Sequence, residues 1–96
     1  MQADYDSKAN AISIRLAGDA RAGSADEVHA RAVVAVGDGA PIEVQLLYPD
    51  LGIDEPLRAA ARSYDLDGEA LIAAAQAALA APDRSVTLDV AVRSAA

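Results

Sequence analysis

The last regular segment constrains the fold most. Residues 85–93 (SVTLDVAVR) alternate strictly. Val86, Leu88, Val90 and Val92 fall on one face, with Thr87, Asp89 and Arg93 on the other. Period two over this length marks a strand with one buried face. A lone strand is not stable in water. It must therefore return to a sheet built earlier in the chain, as an edge strand, or be donated to a second copy.

The earlier strands are legible by the same period. In residues 11–16 (AISIRL), Ile12, Ile14 and Leu16 share a face, opposite Ser13 and Arg15. Residues 5–10 (YDSKAN) read as a short strand end and a turn, because Asp, Ser and Asn bond their own backbone. Residues 17–25 form a loop with two glycines, Gly18 and Gly23. Residues 27–36 (EVHARAVVAV) read as a second strand, with Val28, Ala30 and Ala32 on one face and His29, Arg31 and Val33 on the other. Gly37-Asp38-Gly39 signals a hairpin. A third strand follows at 41–47, with Ile42, Val44 and Leu46 facing in. Short links between them predict a three-stranded antiparallel meander.

The period then changes to that of a helix. Tyr48-Pro49-Asp50-Leu51-Gly52 is a turn. Asp54 is placed to cap a helix with Pro56 in its first turn, and Leu57, Ala60, Ala61 and Tyr64 share one side. Asp67 caps a second helix. Leu66 before that cap and Leu71 after it match a hydrophobic staple. Leu71, Ala75, Ala78 and Leu79 form the apolar stripe, and Ala80-Ala81-Pro82 ends it. The expected fold is α+β: a β-meander, two helices and a final strand, with the helices on one sheet face. One domain, residues 1–96, is expected from the 96-residue length.

Composition limits the core. Alanine supplies 25 residues, against 23 Val, Ile, Leu and Met together and three tyrosines. The interior must be small and aliphatic, and such a chain gains from self-association. Net charge is −7, from 15 acids and 8 bases. That argues against direct nucleic-acid binding and against an anionic membrane surface. It favours a basic partner. Cysteine is absent, which excludes disulfides and thiolate metal sites and fits a reducing, cytoplasmic location. No apolar run approaches a membrane span, and no signal peptide opens the chain.

Residues 5–16 (YDSKANAISIRL) carry a further pattern. With Ser24-Ala25-Asp26-Glu27-Val28 and Pro41-Ile42-Glu43-Val44, they resemble the bacterial family called domain of unknown function 2283. That family opens Y-D-x-x-A-D-A-[LI]-Y-I-x-[LF]. The resemblance covers about residues 5–48, and departs at Asn10 and Ser13. It implies a meander fold. It also implies an antitoxin-like role, because such genes often neighbour those of small ribonuclease toxins. Toxins that grip RNA phosphates are basic, and an acidic partner complements them.

Each chemistry-bearing motif has a structural reading beside its functional one. His29 with Ser24 and Asp26 lacks a triad's arrangement and reads as a strand residue. Asp4-Tyr5-Asp6 and Asp65-Leu66-Asp67-Gly68 suggest calcium loops, but neither supplies the third oxygen ligand at its required place. They read as turn and cap aspartates. Gly37-Asp38-Gly39 precedes a strand and is no phosphate cradle. Tyr5 and Asp6 read as a partner-contact pair, or as a cover for the core and a turn former. The acids around the helical half read as a solvated face, or as a contact surface anchored by Asp54, Glu55, Asp65, Asp67 and Glu69.

The expectation is a non-enzymatic protein-binding module, antitoxin-like, that neutralises a small basic toxin. It needs no cofactor and no metal. A homodimer is expected; the alternative functions are a self-assembling structural or oligomeric domain and an acidic nucleic-acid-mimic inhibitor.

Overall fold

The computed structural model describes residues 1–17 and 21–88. They form β1 (Gln2–Asp6), β2 (Ala11–Arg15), β3 (Ser24–His29), β4 (Ala32–Gly37), β5 (Ala40–Leu47), a 3-10 turn (Pro49–Leu51), α1 (Asp54–Tyr64), α2 (Gly68–Ala80) and β6 (Ser85–Thr87). The strands make one sheet in the order β3-β4-β5-β2-β1-β6, and every neighbouring pair is antiparallel. The architecture is α+β. Its sheet has six strands where the sequence predicts a three-stranded meander and one closing strand.

Three differences have physical causes. First, residues 2–6 are a full strand. Ala3 lies opposite Ile14, and Tyr5 opposite Ile12. Ala3 is fully buried, and Tyr5 packs on the core. This alternation is muted in the sequence because alanine carries little hydrophobic signal and aspartate is depleted in strands. Second, residues 27–36 are not one strand. The chain turns at Ala30–Arg31, and β3 folds back on β4 with a register shift beside His29. The imidazole Nδ1 of His29 accepts the Arg31 backbone N–H at 3.1 Å, which holds the turn. Ala30 is exposed at the tip, whereas Ala32 is buried. β3 also begins earlier, at Ser24, inside the expected 17–25 loop. Third, β2 pairs with β5 and not with the segment that follows it. The meander is β3-β4-β5, and β5 is central.

Other expectations hold. Asp38 and Gly39 have φ of 53° and 77° at the β4–β5 hairpin. Two positive φ values suit the right-handed twist of the flanking strands. A Cβ at Gly37 would run into the Arg21 carbonyl oxygen. Ile12 and Ile14 of β2 are buried, as are Ile42, Val44 and Leu46 of β5. β6 returns to its own sheet, where Ala3 pairs with Val86. The remainder of the expected strand, residues 89–93, lies outside the described residues.

Both helices cover one face of the sheet. α1 packs on β3, β4 and β5, and α2 on β1, β2 and β6. α1 buries Leu57, Ala60 and Ala61. Ile53 occupies its N-cap position, so Asp54 lies in the first turn and does not cap the helix. Asp67 does cap α2: its side chain accepts the Ala70 N–H at 3.2 Å. Leu66 and Leu71 are both buried in the core, as the staple requires.

Among the described residues, every buried apolar side chain of α2 except Leu71 and Ile72 is alanine. Small side chains let this helix lie close against β1 and β2. The interior holds no buried polar or charged side chain among the described residues. No helix among them is long and apolar enough to cross a membrane.

Close packing gives a direct prediction. Ala75 is fully buried, whereas Ala73 is exposed. Ala75→Leu should overpack the helix–sheet interface and cost about 1–3 kcal/mol. Ala73→Leu on the same helix should change stability by less than about 0.5 kcal/mol. Urea unfolding of both variants measures the difference.

Candidate functional site

The acidic side chains of the helical half lie along the solvent side of α1 and its junction with α2. Asp54 and Glu55 stand in the first turn of α1 and are exposed. Negative charge is favourable there, beside the unpaired N–H groups of a helix start. Glu55 lies 3.6 Å from the His29 Nε2 across the gap to β3. Asp65 is exposed at the C-cap of α1, in the left-handed conformation at φ 56°. Asp67 is half-buried and engaged in its cap. Glu69 accepts from the Arg58 guanidinium at 2.8 Å.

These five acids are a stripe and not a cluster. Asp54 and Asp65 lie at opposite ends of an eleven-residue helix, about 16 Å long at the usual rise. Arg58 stands one turn after Asp54 and reaches Glu69 of α2. Its hydrogen bond and charge pairing with Glu69 raise its pKa, and Asp54 adds to the effect. Asp54, Glu55 and Asp65 therefore present the exposed negative charge. Glu69 is offset by Arg58, and Asp67 is turned toward the α2 backbone.

The motif at the start of the chain has a structural use. The Tyr5 hydroxyl donates to Asn10 Oδ1 at 3.0 Å, and Asn10 Nδ2 donates to Asp50 Oδ1 at 2.8 Å. Asp6 Oδ1 accepts the backbone N–H groups of Lys8 and Ala9 at 3.0 and 3.1 Å. Tyr5 thus joins the core to the β1–β2 turn, and Asp6 shapes that turn. An aspartate at position 10 has no amide to give to Asp50. Asparagine at this point, where the resemblance expects aspartate, suits an acidic neighbour.

The remaining motifs assemble no reactive centre among the described residues. Ser24 and His29 lie at opposite ends of β3, and the Asp26 carboxylate accepts the Tyr64 hydroxyl at 2.6 Å. No group of three or more His, Cys, Asp or Glu side chains is placed to hold a metal ion among the described residues. An open depression of about 510 Å³ beside β1 and β6 is lined by Asp4, Asp6 and Asp83 together with Lys8 and Arg84. Its charges are mixed.

Two features have no counterpart in the sequence reading. Arg31 leaves the β3–β4 turn and reaches the link between β5 and α1. Its Nη1 donates to the carbonyls of Tyr48 at 2.8 Å, Gly52 at 2.9 Å and Leu47 at 3.3 Å. Tyr48 itself is left-handed, at φ 50°. The Tyr-Pro-Asp-Leu-Gly pattern marks a turn but does not say which residue takes the positive φ.

No family model, curated protein or solved structure matches the chain.

Two hydrogen bonds give pH signatures. Ser7 donates its hydroxyl to Asp83 Oδ2 at 2.7 Å and its N–H to Oδ1 at 2.9 Å. These bonds hold the Asp83 carboxyl below its ordinary value of 3.8. A depressed folded pKa contributes stability above the unfolded value, and that contribution is lost as pH falls through the folded one. Asp83→Asn should flatten this part of the acid limb, and asparagine tolerates the φ of 60° there. Tyr64 has the opposite sign. Its bond to Asp26, then desolvation, raise the phenol above its ordinary 10.0. Its contribution is complete below the unfolded value and is lost as pH rises through the folded one. Tyr64→Phe should remove that alkaline loss. Thermal melts across pH check both variants.

Proposed function

We propose that this protein is a non-enzymatic binding module that occludes a small basic protein, in the manner of an antitoxin. One observation carries the reading. The helix pair buries its apolar side chains against the sheet and presents Asp54, Glu55 and Asp65 to solvent. With a net charge of −7, that face suits a cationic surface.

The mechanism is competition for charge. A protein that grips RNA phosphates carries clustered Lys and Arg. Carboxylates projecting from a rigid helix occupy those cations and exclude the phosphate backbone. The resemblance of residues 5–48 to domain of unknown function 2283 supports the same reading, through the toxin genes beside members of that family. Glu69 contributes less than its charge suggests, because Arg58 holds it. Asp67 contributes through the α2 cap that fixes the junction.

The test is capture from the source cells at low salt, followed by a salt step. A stoichiometric small basic protein should leave in the salt eluate, because exposed charge contacts are screened at high ionic strength. A variant carrying Asp54→Asn, Glu55→Gln and Asp65→Asn should lose at least about tenfold in affinity for that protein, while it stays folded and its melting temperature falls only by the few degrees that the lost charges at the start of α1 account for. Recovery of the protein by itself, with one oligomer size across the salt step, would overturn the reading.

A further inference from the structure

We infer that the tip between β5 and α1, carrying Tyr48 and Leu51, is the apolar centre of a docking surface for a basic protein segment. This deepens the function proposed above and rests on its basic partner. It moves the centre of contact from the acidic stripe along α1 to the turn that precedes the helix.

Three observations carry it. First, Tyr48 and Leu51 are 53% and 68% exposed, and they are the exposed large apolar side chains among the described residues. They stand three residues apart across one turn. Second, Tyr48 adopts φ 50° and ψ 61°, a left-handed conformation uncommon for a bulky side chain. Glycine or asparagine would take it with less strain. The turn is held by backbone groups. The Tyr48 N–H donates to the Asn10 carbonyl at 2.9 Å, and its own carbonyl accepts Leu51 N–H at 3.0 Å and Arg31 at 2.8 Å. None of these bonds needs the ring, and the half-exposed ring does not offset the strain by burial. A local cost with no return inside the fold marks a functional position. Third, the tip is preorganised and rimmed by acid. Pro49 beneath it is buried, and Asp50 is fixed by Asn10. Asp50, Asp54 and Glu55 are all exposed. The nearby cation, Arg31, is turned onto backbone carbonyls.

An aromatic anchor inside a polar rim is the anatomy of a binding hot spot. The acidic rim selects the occupant. A second copy would bring the same carboxylates to the contact, on a chain of net charge −7. A segment combining Lys or Arg with aliphatic side chains satisfies both the rim and the centre.

The experiment titrates the full-length ¹⁵N-labelled protein at low salt with two synthetic peptides of equal charge and length. One alternates lysine with leucine, the other lysine with serine. The lysine–leucine peptide should bind more tightly, with amide shifts centred on residues 48–55. Tyr48→Asn should weaken it about tenfold without lowering the melting temperature, and Leu51→Ser should act in the same direction. Equal binding of the two peptides would overturn the tip as the docking centre and leave the basic-partner reading standing. So would shifts centred on Asp65, Asp67 and Glu69. Binding of neither peptide would overturn both.

Discussion

The passage from the sheet into α1 is held by one side chain. Arg31 projects from the β3–β4 turn and holds the carbonyls of Leu47, Tyr48 and Gly52. The chain leaves the sheet there, so those carbonyls have no strand partner. The two N–H groups of Nη1 are shared among these three carbonyls, and Nη2 reaches the Leu51 carbonyl at 3.5 Å, so the planar guanidinium spans the link. The Arg31 backbone is engaged as well. Its N–H donates to His29, and its carbonyl accepts the Leu47 N–H at 2.8 Å. The turn that splits β3 from β4 and the link that launches α1 are thus one assembly. The entry point of α1 follows from it, and so does the projection of Tyr48.

Alanine sets the second constraint. α2 has small side chains at Ala70, Ala74, Ala75 and Ala78, all buried. The helix approaches the sheet closely, and contact area comes from proximity in place of bulk. Larger side chains, Leu57 and Leu71, fill the space where the two helices meet the sheet. Each alanine contributes little burial, so the fold has a modest reserve of stability. The β1–β2 turn is accordingly tied by polar bonds at its rim, through Tyr5, Asn10 and Asp50 on one side and Ser7 and Asp83 on the other.

Much of this was legible in the sequence, and the failures share a cause. Strands with isoleucine, valine or leucine at alternate positions, such as β2 and β5, declare their inner faces. So do the α2 cap at Asp67 and the Leu66–Leu71 staple, whose chemistry is local. β1 was muted because Ala3 and Tyr5 alternate with acids. The β3–β4 turn was hidden because His29-Ala30-Arg31 contains no glycine, proline or asparagine, and its stability comes from the His29 imidazole and the Arg31 clamp. The pairing of β2 with β5 is a tertiary choice that periodicity does not encode. For the candidate surface, the sequence marks acids but not their neighbours. It shows Glu69 without Arg58 and Asp67 without the backbone that it caps. Tyr48 reads as part of a turn, and its strain and exposure emerge from the fold.

The structure and the proposed binding role meet at the clamped link. A fixed link presents an aromatic tip and an acidic helix start in one orientation, so a partner need not order them on binding. The most direct test is amide hydrogen exchange in Arg31→Lys. Lysine keeps the charge but lacks the fork. If the clamp fixes the link, Leu51 and Gly52 should exchange at least about tenfold faster, while Ile14 and Val44 keep their protection. Wild-type exchange at Leu51 and Gly52 in that variant would contradict the account.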